Sequence, residues 1–83
     1  MRILYFAWVR ERTGTAEETV DPPAAVTTVG QLADWLAARS PGHAAAFANP
    51  KRLRVAINQE QARFGDAVGP NDEIAFFPPM TGG

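Results

Sequence analysis

The sequence predicts an α+β roll, a mixed sheet of about five strands with one main helix packed on one face. Three observations lead there. Short apolar segments of strand character open the chain (2–8), close it (73–77) and recur in between (53–57). Only one segment, 29–39, carries strong helical periodicity. The resulting order, β, β, α, short α, β, β, β, supplies one long helix to cover one face of one sheet. Eighty-three residues read as a single domain, 1–83, with 78–83 a flexible C-terminal tail. Domains of roughly 55–65 residues already fold unaided, so the core is large enough.

Arg2 to Trp8 are β-branched, aromatic and aliphatic with no breaker, which predicts a buried first strand. A helical turn is expected at Val9 to Thr13, and Thr13-Gly14-Thr15 is a turn signal before a weak second strand over Glu17 to Val20, ended by Pro22-Pro23. Thr28 stands three residues before Gln31, the spacing of a capping box. Val29, Leu32, Ala33, Leu36 and Ala37 then share one helical face, so the main helix is expected from Val29 to Arg39, stopping before Pro41-Gly42. A shorter helix follows over His43 to Ala48. Leu53, Val55 and Ile57 alternate with Arg52, Arg54 and Ala56, the period of a half-buried strand. Asn58 to Glu60 is its turn and Gln61 to Phe64 a short return strand. Gly69-Pro70-Asn71-Asp72 is a turn cluster leading into the last strand, Glu73 to Phe77. The first and last strands are the most apolar, which suits central positions side by side in the sheet.

Composition removes most chemistries. A chain 46% hydrophobic and 20% charged is an ordinary globular one, and eight basic against nine acidic residues leave no footprint for nucleic acid or an anionic membrane. No cysteine and a single histidine, His43, leave neither a thiolate nucleophile nor a metal cluster. His43 reads as a surface or capping residue, and Asp72-Glu73 as turn and strand entry. Trp8 and Trp35 read as packing. No stretch approaches the roughly 20 apolar residues of a membrane span, so the cytoplasm is the expected location.

What remains is the tail. Gly82-Gly83 ends a stiff run, Phe76-Phe77-Pro78-Pro79-Met80-Thr81. Glycine passes where a Cβ would clash, which suits a carboxylate threaded into a narrow site. Pro78 and Pro79 fix two φ angles and so reduce the entropy lost on docking. The four residues after Pro79 reach at most about 14 Å. A carboxylate must be activated before it can transfer, and the chain has no phosphate-cradling glycine loop of its own. If Ile74 and Phe76 face the helix, Phe77 lies on the opposite face, where exposed aromatics make interface anchors. Phe6 is open to either a core or an interface reading, and Arg10-Glu11-Arg12 reads first as a solvated surface run.

Leu4-Tyr5-Phe6-Ala7 with Val9-Arg10-Glu11 and Gly14, Val55-Ala56-Ile57-Asn58-Gln59, and Asp72-Glu73-Ile74-Ala75-Phe76-Phe77-Pro78-Pro79-Met80-Thr81-Gly82-Gly83 together resemble the small, sulfur-carrier subunit family of molybdopterin synthase, a β-grasp (ubiquitin-like) family related to the thiamine-pathway sulfur carrier. These anchors span the chain. The resemblance implies no enzymatic activity of the chain alone and no permanently bound cofactor or metal. It implies that an E1-like adenylating enzyme uses ATP to form a glycyl adenylate at Gly83, and that a sulfur donor protein then converts it to a thiocarboxylate (1-thioglycine). The sulfur passes to precursor Z, the cyclic pyranopterin monophosphate, inside a heterotetramer of two large and two small subunits. Gly82 and Gly83 would sit at the chemistry, and Phe6, Arg10, Phe77, Pro78, Pro79, Met80 and Thr81 would contact partners. The family often carries an aliphatic residue where this chain has Gln61. Sulfur carriage for thiamine, cysteine or tRNA thiolation, conjugation to lysines as a protein modifier, and an inert interaction domain stay open as alternatives.

Overall fold

The apolar N-terminal segment divides into two elements. The structure, a computed structural model that describes residues 1–79, places strand β1 at Arg2–Tyr5 and helix α1 at Ala7–Thr13. The strand expected over 2–8 therefore ends three residues early. Phe6 is still extended, but Ala7 turns left-handed at φ 52°, and the amides of Val9 and Arg10 already donate to the Phe6 carbonyl. A left-handed alanine costs about 1–2 kcal/mol, a strain that only the surrounding packing can hold. Gly14, at φ 81°, closes the helix by donating its amide to the Arg10 carbonyl.

The remaining elements are β2 (Glu17–Thr19), α2 (Val29–Ala37), α3 (Pro41–Ala46), a 3-10 turn (Pro50–Arg52), β3 (Arg54–Ile57), β4 (Glu60–Ala62) and β5 (Glu73–Phe77). They form one sheet in the order β2-β1-β5-β3-β4. β1 and β5 run parallel, in register Ile3↔Ile74 and Tyr5↔Phe76, while every other pair is antiparallel. The first and last strands thus lie side by side, as their apolar character predicts, with β5 at the centre. The order, the mixed sheet and the helices on one face are those of a β-grasp fold.

The capping box at α2 is complete: the Gln31 amide donates to Thr28 Oγ1 at 3.2 Å, and Gln31 Oε1 accepts from the Thr28 amide at 3.2 Å. Gly30, in the first turn, ties the helix to the loop that follows β4, its amide donating to the Phe64 carbonyl at 2.8 Å. The same contact shortens β4. Residues 64 and 66 spend their carbonyls on the first turn of α2, so the return strand expected over Gln61 to Phe64 runs instead over Glu60–Ala62. Its turn is only Asn58-Gln59, both at positive φ as a two-residue hairpin of this hand requires.

Pro41-Gly42 begins a helix rather than ending one. Ser40 caps α3 by accepting from the His43 amide, and Pro41 takes the first helical position, where its missing N–H costs nothing. Gly42 is needed there, because a Cβ would overlap the Arg12 carbonyl oxygen of α1. Phe47, just past the helix, turns into the core and meets Phe76 edge-on at 4.9 Å, while Tyr5 stacks on Phe76 at 6.4 Å. Ile3, Tyr5, Val55, Ile74 and Phe76 thus face Val29, Leu32 and Leu36 of α2, each such burial being worth about 1.5–3 kcal/mol.

His43 is a correction of another kind. Expected at the surface, it is 7% exposed and is held at both nitrogens, Nδ1 2.7 Å from Ser40 Oγ and Nε2 2.7 Å from Glu18 Oε2. Tyr5 donates its hydroxyl to the same Glu18 oxygen at 2.7 Å, and Arg39 reaches Oε1 at 3.1 Å. The Tyr5 hydroxyl is pushed up by burial and by that bond, and stays neutral. Partial burial pushes the Glu18 carboxyl up, but the His43 and Tyr5 hydrogen bonds and the His43 and Arg39 charges outweigh it, leaving Glu18 below the usual carboxylate range. The network ties β1 and β2 to α3, which an alanine-rich helix of six residues needs.

Two outcomes follow from these contacts. Gly42→Ala should lower the melting temperature by roughly 5–20 °C, the cost of overpacking against a backbone carbonyl. A depressed folded-state carboxyl stabilises the fold above its unfolded value, about 4.3 for Glu, and loses that contribution as pH falls through the folded value. Glu18→Gln should therefore cost about 1–3 kcal/mol at neutral pH, measured by urea unfolding, and flatten the fall in stability as pH drops below the ordinary Glu value of about 4.3.

Candidate functional site

Parallel pairing makes β1 and β5 end at the same edge of the sheet, and β3 begins there. Arg54 is the register partner of Phe77, and the Phe6 amide donates to the Phe76 carbonyl at 3.1 Å, one step beyond Tyr5↔Phe76. Phe6 and Phe77 therefore both come one residue after Tyr5↔Phe76, the last pair of the β1–β5 ladder. Ile74 and Phe76 are buried against the helices, so alternation turns Phe77 to the open face, where it is half-buried. Phe6 is 48% exposed and is the one exposed large hydrophobic among the described residues, which removes the core reading left open for it. Alternation explains the exposure: Ile3 and Tyr5 face the core, so Phe6, still extended, turns its ring to the other side.

An open groove runs beside this edge, lined by Arg54, Ala56, Gln59, Gln61, Phe77 and Pro79. Gln61 pairs with Ala56 across β3 and β4, so its amide forms the far wall. Pro78 and Pro79 are half-buried and continue β5 past its last ladder position. Arg10 is exposed on α1, and its neighbours Glu11 and Arg12 are exposed too, so the surface reading of that run holds. The structure therefore brings Phe6, Phe77, Pro78 and Pro79 to one end, with Arg10 on the helix that starts there. Met80, Thr81, Gly82 and Gly83 lie outside the described residues.

Two features of this end were missed in the sequence. Trp8 is a platform as well as packing, with the Arg12 guanidinium 4.6 Å and the Arg52 guanidinium 5.6 Å from its ring. Arg54 stands opposite Phe77 with Nη1 donating to the Leu53 carbonyl at 3.0 Å. The i, i+4 spacing of Trp8 and Arg12 on a helix was a usable signal, whereas Arg52 comes from the 3-10 turn and only the fold brings it near.

Elsewhere the chain offers little chemistry. A second concavity, between Met1, Asp21, Pro22, Val26 and Pro70, lies at the opposite end of β1 and β5. Asp72 is held below the usual carboxylate range by the Asn58 side chain and the Gly69 amide, the strand-entry role its sequence context predicts. Among the described residues no cluster of His, Asp and Glu could hold a metal ion, and no helix is long and apolar enough to cross a membrane.

Comparison with known proteins agrees with this geometry. The molybdopterin synthase sulfur carrier subunit of Escherichia coli is 40% identical over 83 residues, spanning all of this chain and 99% of that protein. The human protein of the same name is 35% identical, over all of this chain and 93% of its own length. Among solved structures, SAMP1 from Haloferax volcanii superposes with a TM-score of 0.79 at 31% identity, covering 100% of this chain and 98% of that one. The ThiS family matches residues 3–83, so the alignment runs through the sheet and the tail alike, and this chain belongs to the ThiS family, as a relative of the molybdopterin synthase sulfur carrier subunits.

Proposed function

We propose that this chain is the sulfur-carrier small subunit of molybdopterin synthase, a donor subunit without catalysis of its own. The observation that carries the reading is the full-length similarity to proteins of that name, in the two instances above at 35–40% identity. The geometry supports it, because the strand that leads into Pro78-Pro79 is the centre of the sheet and cannot shift without breaking the core.

In this reading the chain works in the cytoplasm and visits two partners. The Gly83 carboxylate, ionised at neutral pH with an ordinary value of about 3.3–3.7, attacks the α-phosphorus of ATP bound by an E1-like adenylating enzyme, and pyrophosphate leaves. A donor protein then supplies sulfur at the sulfide level, which attacks the acyl carbon of the glycyl adenylate; the acyl–oxygen bond to AMP breaks, AMP leaves, and the thiocarboxylate remains. A carboxylate is a poor acyl donor because oxide leaves poorly, whereas AMP leaves readily. The tail next enters the large subunit, in an assembly of two large and two small chains, and its sulfur is delivered to precursor Z. Gly82 and Gly83 occupy the reacting position, Met80 and Thr81 line the approach, and Pro78 and Pro79 aim it. Phe6, Phe77 and Arg10 dock on the partners.

A second reading, a protein modifier joined to lysines through Gly83, is favoured by one observation, the similarity of this chain to SAMP1 at 31% identity and to the H. volcanii small archaeal modifier protein 1 at 26%. One preparation separates the two.

Chain incubated with adenylating enzyme, ATP and a sulfur donor should gain the mass of one oxygen-for-sulfur exchange, and chain lacking Gly83 should not. Absence of the gain in the intact chain would sink the sulfur-carrier reading, and Gly83-dependent ladders on a denaturing gel would install the modifier in its place. Phe77→Ala should weaken binding to the adenylating enzyme by about 30-fold, the roughly 2 kcal/mol of an interface anchor. Its melting temperature should scarcely move, since Phe77 lies outside the buried core.

A further inference from the structure

The positive charge of this chain is unevenly placed, and most of it meets no counter-charge among the described residues. Of its eight Lys and Arg residues, only Arg2 and Arg39 meet a carboxylate among the described residues. Five of the other six are exposed at the edge from which β5 leaves the sheet: Arg10 and Arg12 on α1, Lys51 and Arg52 on the 3-10 turn, and Arg54 at the start of β3. The carboxylates that do pair, Glu17, Glu18 and Glu73, belong to β2 and the start of β5.

Three of these cations are held in position without being neutralised. The Arg12 and Arg52 guanidiniums both lie over Trp8, at 4.6 and 5.6 Å. Arg12 Nη1 also donates to the Ala45 carbonyl at 3.5 Å, which leaves the other N–H groups of that guanidinium for an acceptor in its plane. Arg54 is fixed by the Leu53 carbonyl. Ordering these side chains in the free protein removes part of the entropy that an ion pair would otherwise cost on binding.

We propose that Arg12, Arg52 and Arg54, with Arg10 and Lys51, form a preorganised cationic collar that docks on an acidic rim around the active-site mouth of the adenylating enzyme. This rests on the preceding reading that such an enzyme receives the tail. Distance decides against a direct action on ATP. The tail past Pro79 can reach about 14 Å, well beyond the roughly 8 Å over which charge is felt at physiological salt, so the collar meets protein at the mouth and not phosphate at the bottom. The spread over three elements also suits a complementary surface better than one anion. Its effect is on encounter: steering of this kind raises association rates by about 10- to 1,000-fold and fades as salt screens it.

The test uses the full chain, purified adenylating enzyme and stopped-flow association across a salt series. The combined variant Arg12→Gln, Arg52→Gln, Arg54→Gln should associate about 10-fold or more slowly at low salt, converge with the unmodified chain at high salt, and show a shallower salt slope. The matching Arg→Lys variant should recover most of the rate, and melting curves of both should establish that they fold. An unchanged slope in the Gln variant, or no binding by the unmodified chain, overturns the proposal. Binding of single-stranded DNA by the intact chain at physiological salt, lost in the same variant, would assign the collar to nucleic acid and overturn it as well. If the intact chain associates as described yet gains no sulfur, the collar stands and the sulfur-carrier reading falls.

Discussion

Parallel pairing of the first strand with the last is the constraint on which the rest of this structure depends. A parallel pair cannot be closed by a hairpin and needs a long crossover, and here nearly the whole chain between Tyr5 and Glu73 serves as that crossover. It brings α2 and α3 over one face, adds β3 and β4 beyond β5, and leaves the other face open. Because Tyr5 and Phe76 are register partners and both are buried, a slip of one residue would turn the core face of β5 to solvent. The point at which the tail leaves is therefore as well determined as the core itself. A segment that must be offered repeatedly to other proteins gains accuracy from a rigid root.

The layer of helices is held by a different kind of contact. α3 is short, and its outward residues Ala44 and Ala45 bury nothing. What fixes it is a backbone approach, Gly42 against the Arg12 carbonyl, and a polar network, Ser40-His43-Glu18 with Tyr5 and Arg39. The network has no buried side-chain donor or acceptor left without a partner. It is expensive to break but contributes modestly when whole, since each bond replaces one made to water. Its value is specificity of position: an apolar contact could slide, whereas three groups, Tyr5, His43 and Arg39, meeting on one carboxylate admit one arrangement. Arg12 then lies where α1 meets α3, so the same contact that seats α3 also sets one wall of the charged edge.

How much of this could be read from the sequence depended on whether the cause was local. The capping box at Thr28, the apolar face of α2, the strand Glu73–Phe77 and the outward turn of Phe77 all follow from spacing within a few residues, and the structure has them as expected. The early end of β1 did not follow, because alanine gives no warning of a left-handed φ; the burial of Val9, two residues into the helix, depends on the chain turning there. Pro41 reads as a stop or as a first helical residue with equal right, and the difference lies in Ser40 capping the next turn. His43 carried no sign of burial, since its partner Glu18 is 25 residues away. At the candidate site the aromatics were legible by alternation, but Arg52 and Arg54 were not, as their meaning comes from Trp8 and Phe77 across the fold.

The distribution of charge separates two tasks that compete in a small domain. Ion pairs at an exposed sheet edge, such as Arg2 with Glu17, add little to stability because water and salt already satisfy both groups. Leaving cations unpaired is correspondingly cheap for the fold, provided they stay solvated. The balance reverses on docking, when water is excluded and the effective dielectric drops. A cation that has no internal partner then has its whole interaction left to form, while one already bridged would first have to break a contact. Arg2 and Arg39 are committed to the fold; the guanidiniums on Trp8 are held by an aromatic face and, for Arg12, by one 3.5 Å bond to the Ala45 carbonyl, and meet no carboxylate among the described residues. The chain can therefore be near neutral as a whole, formally −1, and still present a strongly directional surface at the one end where direction matters.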